Sequence, residues 1–198
     1  LLEAQNGRLR ITTTSGVGGS GAADIDIQVG ELTATAVTGD VVLDLTGDTI
    51  IVGDGVEIES GNGTLSLRSD SGNLTVDALI LHDGSGDILL RADSGSVLMT
   101  NAGRVTGGTG LLDIRASDDV VLSQVTSLGG DIFISSELAS VRRLTGFTGA
   151  NIVSTNRAII EVDDIAQFTV DSDSVTVNGA TFFRGLGNSF IFVVLNFG

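Results

Sequence analysis

The sequence predicts an all-β fold: a right-handed parallel β-helix of about 20–24 residues per coil, with an apolar, Phe-rich C-terminal strand. Three observations predict it. First, "GTLSLRSDSGNLTVD" at 63–77 recurs without a gap 23 residues later as "GDILLRADSGSVLMT" at 86–100. Gly63 falls on Gly86, Leu65 on Ile88, Leu67 on Leu90, Arg68 on Arg91, Asp70 on Asp93 and Leu74 on Val97. Second, apolar positions form evenly spaced sets. Leu65, Ile88, Leu112, Ile132 and Ile152 lie 23, 24, 20 and 20 apart, and Leu74, Val97, Val120 and Val141 lie 23, 23 and 21 apart. Third, 28 Gly, no Pro and 19 Asp against 6 Glu favour short strands joined by tight turns over helices.

The repeated unit is Gly or Asp, any residue, apolar, any residue, apolar. It reads "GRLRI" from Gly7, "ADIDI" from Ala23, "DVVLDL" from Asp40, "GTLSL" from Gly63 and "GNLTV" from Gly72. It continues as "GDILL" from Gly86, "GSVLM" from Gly95, "GLLDI" from Gly110, "DVVL" from Asp119, "GDIFI" from Gly130 and "ANIVS" from Ala150. Each is a period-two strand bounded by turn residues. A looser third set begins at Leu79, Val105, Val125, Leu144 and Ile165. Three short strands per coil cannot bury an inner face alone. Stacking coils ~4.8 Å apart pairs every strand with its counterparts, and identical positions then meet. Eight or nine coils are expected, a rod roughly 40 Å long.

One domain is expected, in three stretches. Residues 1–62 form irregular N-terminal coils, 63–178 regular coils, and 179–198 a cap or donated strand. Arg68, Arg91 and Arg115 would stack as a ladder, relieved by Asp70, Asp93 and Asp118. All eight Phe lie at or after Phe133, and "SFIFVVLNFG" closes the chain. Its Phe190, Phe192, Val194 and Phe197 are the candidate self-association residues, by strand addition or end-to-end stacking.

A formal charge of −15 argues against a nucleic-acid footprint. No apolar run reaches the length of a membrane-spanning helix, so membrane insertion is not expected. Cys is absent, which excludes disulfide and thiolate chemistry. Leu1 is not an initiator methionine, so a mature product or a segment of something longer is expected. His82 is the sole histidine and is expected at an exposed strand end. "GVGGSG" from Gly16 has no following Lys and no strand–helix context, and reads as a loop rather than a phosphate cradle. No cofactor is expected; calcium is the candidate ion, with Asp118, Asp119, Asp171 and Asp173 as candidate ligands because they offer hard oxygens in turns. Ordinary acidic turns are the competing explanation. Paired carboxylates could also serve a carbohydrate-active β-helix, but Trp and Tyr, on which sugars stack, are absent. An enzyme is therefore not expected.

The stretch from "GNGTLSLRSDSGNLTVDALILHDGSG" through "DILLRADSGSVLMTNAGRVTGGTGLLDIRASDDVVLSQ" resembles the repeat regions of filamentous-haemagglutinin-like proteins and giant bacterial surface exoproteins. The resemblance implies a parallel β-helical rod, exported to the cell surface and serving adhesion, aggregation or matrix. No binding residue carries over. The expectation is an extracellular or cell-surface structural subunit of a fibre, sheath or matrix. A passive stalk segment is the alternative, and a surface glycan is the candidate non-protein partner.

Overall fold

The computed structural model describes residues 2–18, 25–171, 174–177, 180–183 and 190–192 of the chain. Among them are strands and turns and no helix. The strands are β1 (Leu2–Thr13), β2 (Ile25–Ala36), β3 (Val41–Thr46), β4 (Thr49–Ile58), β5 (Leu65–Ser71), β6 (Leu74–Val76), β7 (Leu79–His82) and β8 (Ile88–Ala92). Then follow β9 (Val97–Met99), β10 (Arg104–Gly107), β11 (Leu112–Ala116), β12 (Asp119–Ser127), β13 (Ile132–Asp171), β14 (Ser174–Val177), β15 (Ala180–Phe183) and β16 (Phe190–Phe192).

From β1 to the first half of β13 all pairing is parallel, and each strand pairs with the strand one coil away. The chain is a parallel β-solenoid of about six turns and about 23 residues per turn. Three columns of strands form its walls. In the first, Val41, Leu65, Ile88, Leu112 and Ile132 stack in register, as do Leu43, Leu67, Leu90, Ile114 and Ile134. In the second, Leu74, Val97, Val120 and Ala139 stack. In the third, Ile11, Ala34, Val56, Ile80, Val105, Val125 and Leu144 stack. From Val41 on, the apolar members of these ladders are all but fully buried. Alternation turns every second side chain inward, and each aliphatic chain removed from water contributes about 1.5–3 kcal/mol.

The glycines mark the corners. At one corner Gly39, Gly63, Gly86, Gly110 and Gly130 lie over one another; a Cβ on any of the last four would come within 2.1 Å of the carbonyl oxygen one coil back. Here the backbones approach so closely that only hydrogen fits. The sequence repeat is thus a requirement of stacking.

Three sequence expectations change. The turn count among the described residues is about six, not the eight or nine expected, so those turns span ~30 Å at ~4.8 Å per rise. Beyond Leu144 the coil pattern gives way. Arg157 pairs with Ser174, a spacing too short for a three-strand coil, and β14–β15 and β13–β16 are antiparallel. Val141 stacks on Leu122, while Ala139 takes the place above Val120. A slip of two residues preserves which side chains face inward, so the apolar pattern cannot detect it. Residues before Gly63 join the same columns, with register shifts between Ala4 and Arg8, Leu32 and Ala34, and Leu45 and Thr46. Those bulges are why their repeat is hard to read.

Candidate functional site

The most ordered polar feature is on the outer face of the first column. Asp44, Arg68, Arg91 and Arg115 stand in register, one per coil. At ~4.8 Å spacing, like charges repel by about 1 kcal/mol even in water. The structure supplies the counter-charges. Arg68 reaches Asp93 at 2.6 Å, Asp70 at 3.1 Å and Asp44 at 3.7 Å. Arg91 donates Nε–H to Asp93 at 2.6 Å. Arg115 donates to both oxygens of Asp113, each at 2.7 Å, and its guanidinium lies 4.7 Å from the Phe133 ring centre. The expected partners Asp70 and Asp93 are therefore in place, but Asp118 is not the partner of Arg115. Asp113 lies two residues before Arg115 on the same strand face, nearer than the turn that holds Asp118.

These contacts set the charge states. Hydrogen bonding to Asp93 raises Arg68 above its ordinary value against the opposing effect of burial. Asp113 does the same for Arg115. Burial pushes the Asp93 carboxyl up, but Arg68 and Arg91 outweigh it and leave Asp93 below its ordinary value. Ser66, Leu89 and Asp113 line a shallow groove beside the three arginines. Each guanidinium is already held by a carboxylate: Arg68 reaches across coils to Asp44 and Asp93, Arg91 and Arg115 pair within their own coil, and Arg115 meets the next coil through Phe133.

A second set of acidic residues also joins coils. Asp40 Oδ1 accepts the Thr64 N–H at 2.7 Å, and Asp87 Oδ1 accepts the Leu111 N–H at 2.8 Å. At another corner Asp48 Oδ1 accepts the Asn73 N–H at 2.7 Å, Asn73 Oδ1 accepts the Ser96 N–H at 2.9 Å, and Ser96 Oγ accepts the Asp119 N–H at 3.2 Å. Each side chain satisfies a backbone donor in the turn one coil ahead. Sequence reasoning missed these staples. Their signal was present: Asp, Asn or Ser recurs at the residue before the strand in successive coils, at 48, 73 and 96.

The calcium candidates divide. Asp118 is exposed and accepts from Ser117 Oγ at 3.2 Å. Asp119 is half-buried beside it. Asp171 ends β13, and Asp173 lies outside the described residues. Among the described residues no group of three or more His, Cys, Asp or Glu is placed to hold a metal ion. Of the self-association residues, Phe190 and Phe192 lie in β16, whose backbone pairs antiparallel with 168–170 of the same chain. Val194 and Phe197 lie outside the described residues.

His82 departs from its expectation. It is fully buried, facing inward between Ile58 and Gly107 in the third column. The alternation of β7 decides this: Ile80 is inward, Leu81 outward and His82 inward again. The ring fits because the neighbouring corner is built of Gly63, Gly84 and Gly86. Its Nε2 lies 2.5 Å from the Gly63 carbonyl oxygen.

Comparison with known proteins finds no matching family model, no matching curated protein and no matching solved structure.

Proposed function

We propose that this chain is a structural rod of an extracellular or cell-surface assembly, of the kind the repeat regions of giant bacterial exoproteins form, and that it associates with further copies of itself through its strand edges. Its coil winds right-handed, as parallel crossovers within one sheet do in nearly all cases. The observation that carries the reading is β1. Its twelve residues are paired on one side only, with β2, among the described residues. Leu9 and Ile11 at the same end are only partly buried, although they continue ladders that are fully buried one coil further in. Such an edge beside a partly covered apolar core takes a further coil, whether from a preceding stretch of the same protein or from another copy, and the reading is that another copy supplies it. Contact between unlike ends does not close on itself, so it propagates into a filament. The Arg68 pairs on the outer wall and the side-chain staples at the corners fit the same task, since they fix coil on coil.

The experiment is electron microscopy with analytical ultracentrifugation. Thr13 O accepts the Val37 N–H, so Thr13 faces β2 and alternation turns Thr12 to the open edge. Wild type is expected to form filaments that lengthen with concentration, and Thr12→Pro, which removes an outward donor, folded short rods. Wild-type protein that stays monomeric at every concentration would overturn self-association and leave a passive stalk segment.

A further inference from the structure

We propose that His82 is an acid-sensitive latch in the middle of the rod: the coil closes around a neutral imidazole and loosens when that ring is protonated. The geometry is that of a ring with one permitted charge state. A carbonyl only accepts, so the 2.5 Å contact to Gly63 assigns the proton to Nε2. That bond ties the last residue of the coil's third strand to the glycine that begins the same coil. The Nδ1 atom is buried and has no hydrogen-bond partner. Protonation would place a second N–H at Nδ1 with nothing to receive it, and a net charge in an apolar interior.

No carboxylate inside the coil relieves this charge. The buried polar residues are Thr33, Thr49, Ser69, Ser127, Ser136 and His82 itself, so His82 is the one titratable group in the described core. Charged groups on the elements around it lie on the solvent side. On β4, Glu57 pairs with outward Leu81 and is half-exposed, and Glu59 just beyond is exposed. Asp83, next in the chain, and Arg104 on β10 are exposed. Asp87, past the corner, is half-exposed and holds the Leu111 N–H. Neighbouring coils avoid the difficulty at the same register position, which carries Ile58 below and Gly107 and Ser127 above. Ser127 makes an analogous corner contact, donating to the Gly130 carbonyl at 2.5 Å, with a group that does not titrate.

The direction follows from proton linkage. An unfolded histidine takes up a proton as the pH falls through about 6.5, and the coil offers that charge neither an acceptor at Nδ1 nor a buried counter-charge. Stability is therefore present in full above that range and is lost below it. Between about pH 7.5 and pH 5.0 the unfolding equilibrium constant should rise about 30-fold from this group alone.

Two measurements on the full chain test it. Because the chain has one histidine, its imidazole nitrogens give a single set of NMR signals. They should report neutral, Nε2-protonated imidazole at about pH 5.5 wherever the amides of residues 79–86 remain protected from hydrogen exchange. Protonation should appear only together with loss of that protection. An imidazole that titrates near pH 6.5 with those amides still protected would overturn the proposal. Second, denaturant unfolding of His82→Gln should lose the pH dependence across this window, changing by less than about threefold. Equal slopes for wild type and variant would also overturn it. The first measurement needs no variant and decides the matter if His82→Gln does not fold.

Discussion

Replacing Gly86 with alanine tests why the chain repeats itself. The added Cβ would stand 1.8 Å from the Gly63 carbonyl oxygen and 2.5 Å from His82 Nε2. Real Cβ contacts essentially never fall under 3.0 Å, so the two coils must part by more than about 1 Å at this corner. Three hydrogen bonds meet at this corner: Ser85 N–H to Gly61 O at 2.9 Å and Leu65 N–H to Asp87 O at 2.9 Å join the two coils, and His82 to Gly63, which the added Cβ also crowds, closes the earlier coil on itself. Each is worth about 0.5–1.5 kcal/mol net, so weakening all three costs about 2–4 kcal/mol. For a domain of this size that lowers Tm by roughly 10 °C. Gly129→Ala is the control. Its Cβ would first meet the Thr109 side-chain methyl at 3.1 Å, which can give way, and the expected cost is below about 1 kcal/mol. Equilibrium denaturation of both variants at neutral pH supplies the comparison. Gly86→Ala within about 1 kcal/mol of wild type would refute the close-approach argument.

Asp87→Ala removes the acceptor for the Leu111 N–H and should cost about 1–2 kcal/mol in chemical denaturation, against about zero for exposed Asp118→Ala. Asp93 lies below the ordinary carboxylate value in the folded state, so its contribution is complete above the carboxylate range and fades as the pH falls through the depressed folded value. Asp93→Asn should therefore be about 0.5–1 kcal/mol less stable than wild type near pH 7, with the gap closing as the pH falls below the ordinary carboxylate range. Melting curves in millimolar calcium and in chelator should coincide, because turn carboxylates such as Asp40, Asp48 and Asp87 already hold backbone donors. A calcium-induced rise in Tm would show instead that the folded chain binds the ion, with Asp118, Asp119, Asp171 and Asp173 the positions to substitute next.

The walls of the solenoid were legible because stacking rewards identity. Leu65 over Ile88 over Leu112 is a statement about one position in space, written three times. The corners were legible as glycines, though not as carbonyl contacts. Three things escaped for distinct reasons. The pairing of Val141 with Leu122 keeps inward parity, so no apolar pattern could reveal the slip. The inward place of His82 was encoded in the alternation after Ile80, but a polar residue at a strand end suggests exposure when its partner carbonyl cannot be seen. The acidic turns suggested cations or solubility because a carboxylate's backbone partner lies a whole coil away in the chain. Only the stacked geometry brings Asp48 to Asn73 and Asp87 to Leu111.

The central claim is that coils lie in parallel, each strand directly above its counterpart one coil back, and disulfide trapping tests it most directly. The chain has no cysteine of its own, so introduced pairs report without background. Ser66 and Leu89 are in-register neighbours on the outer face, and Asp113 is the next residue along the same ladder. Adjacent positions at ~4.8 Å fall within the Cα separation a disulfide bridges, about 4.4–6.8 Å, whereas positions two coils apart at ~9.6 Å do not. Ser66→Cys with Leu89→Cys should oxidise rapidly and completely in the folded protein, and Ser66→Cys with Asp113→Cys should stay reduced. Failure of the first pair, or efficient closure of the second, would contradict the stacked parallel register.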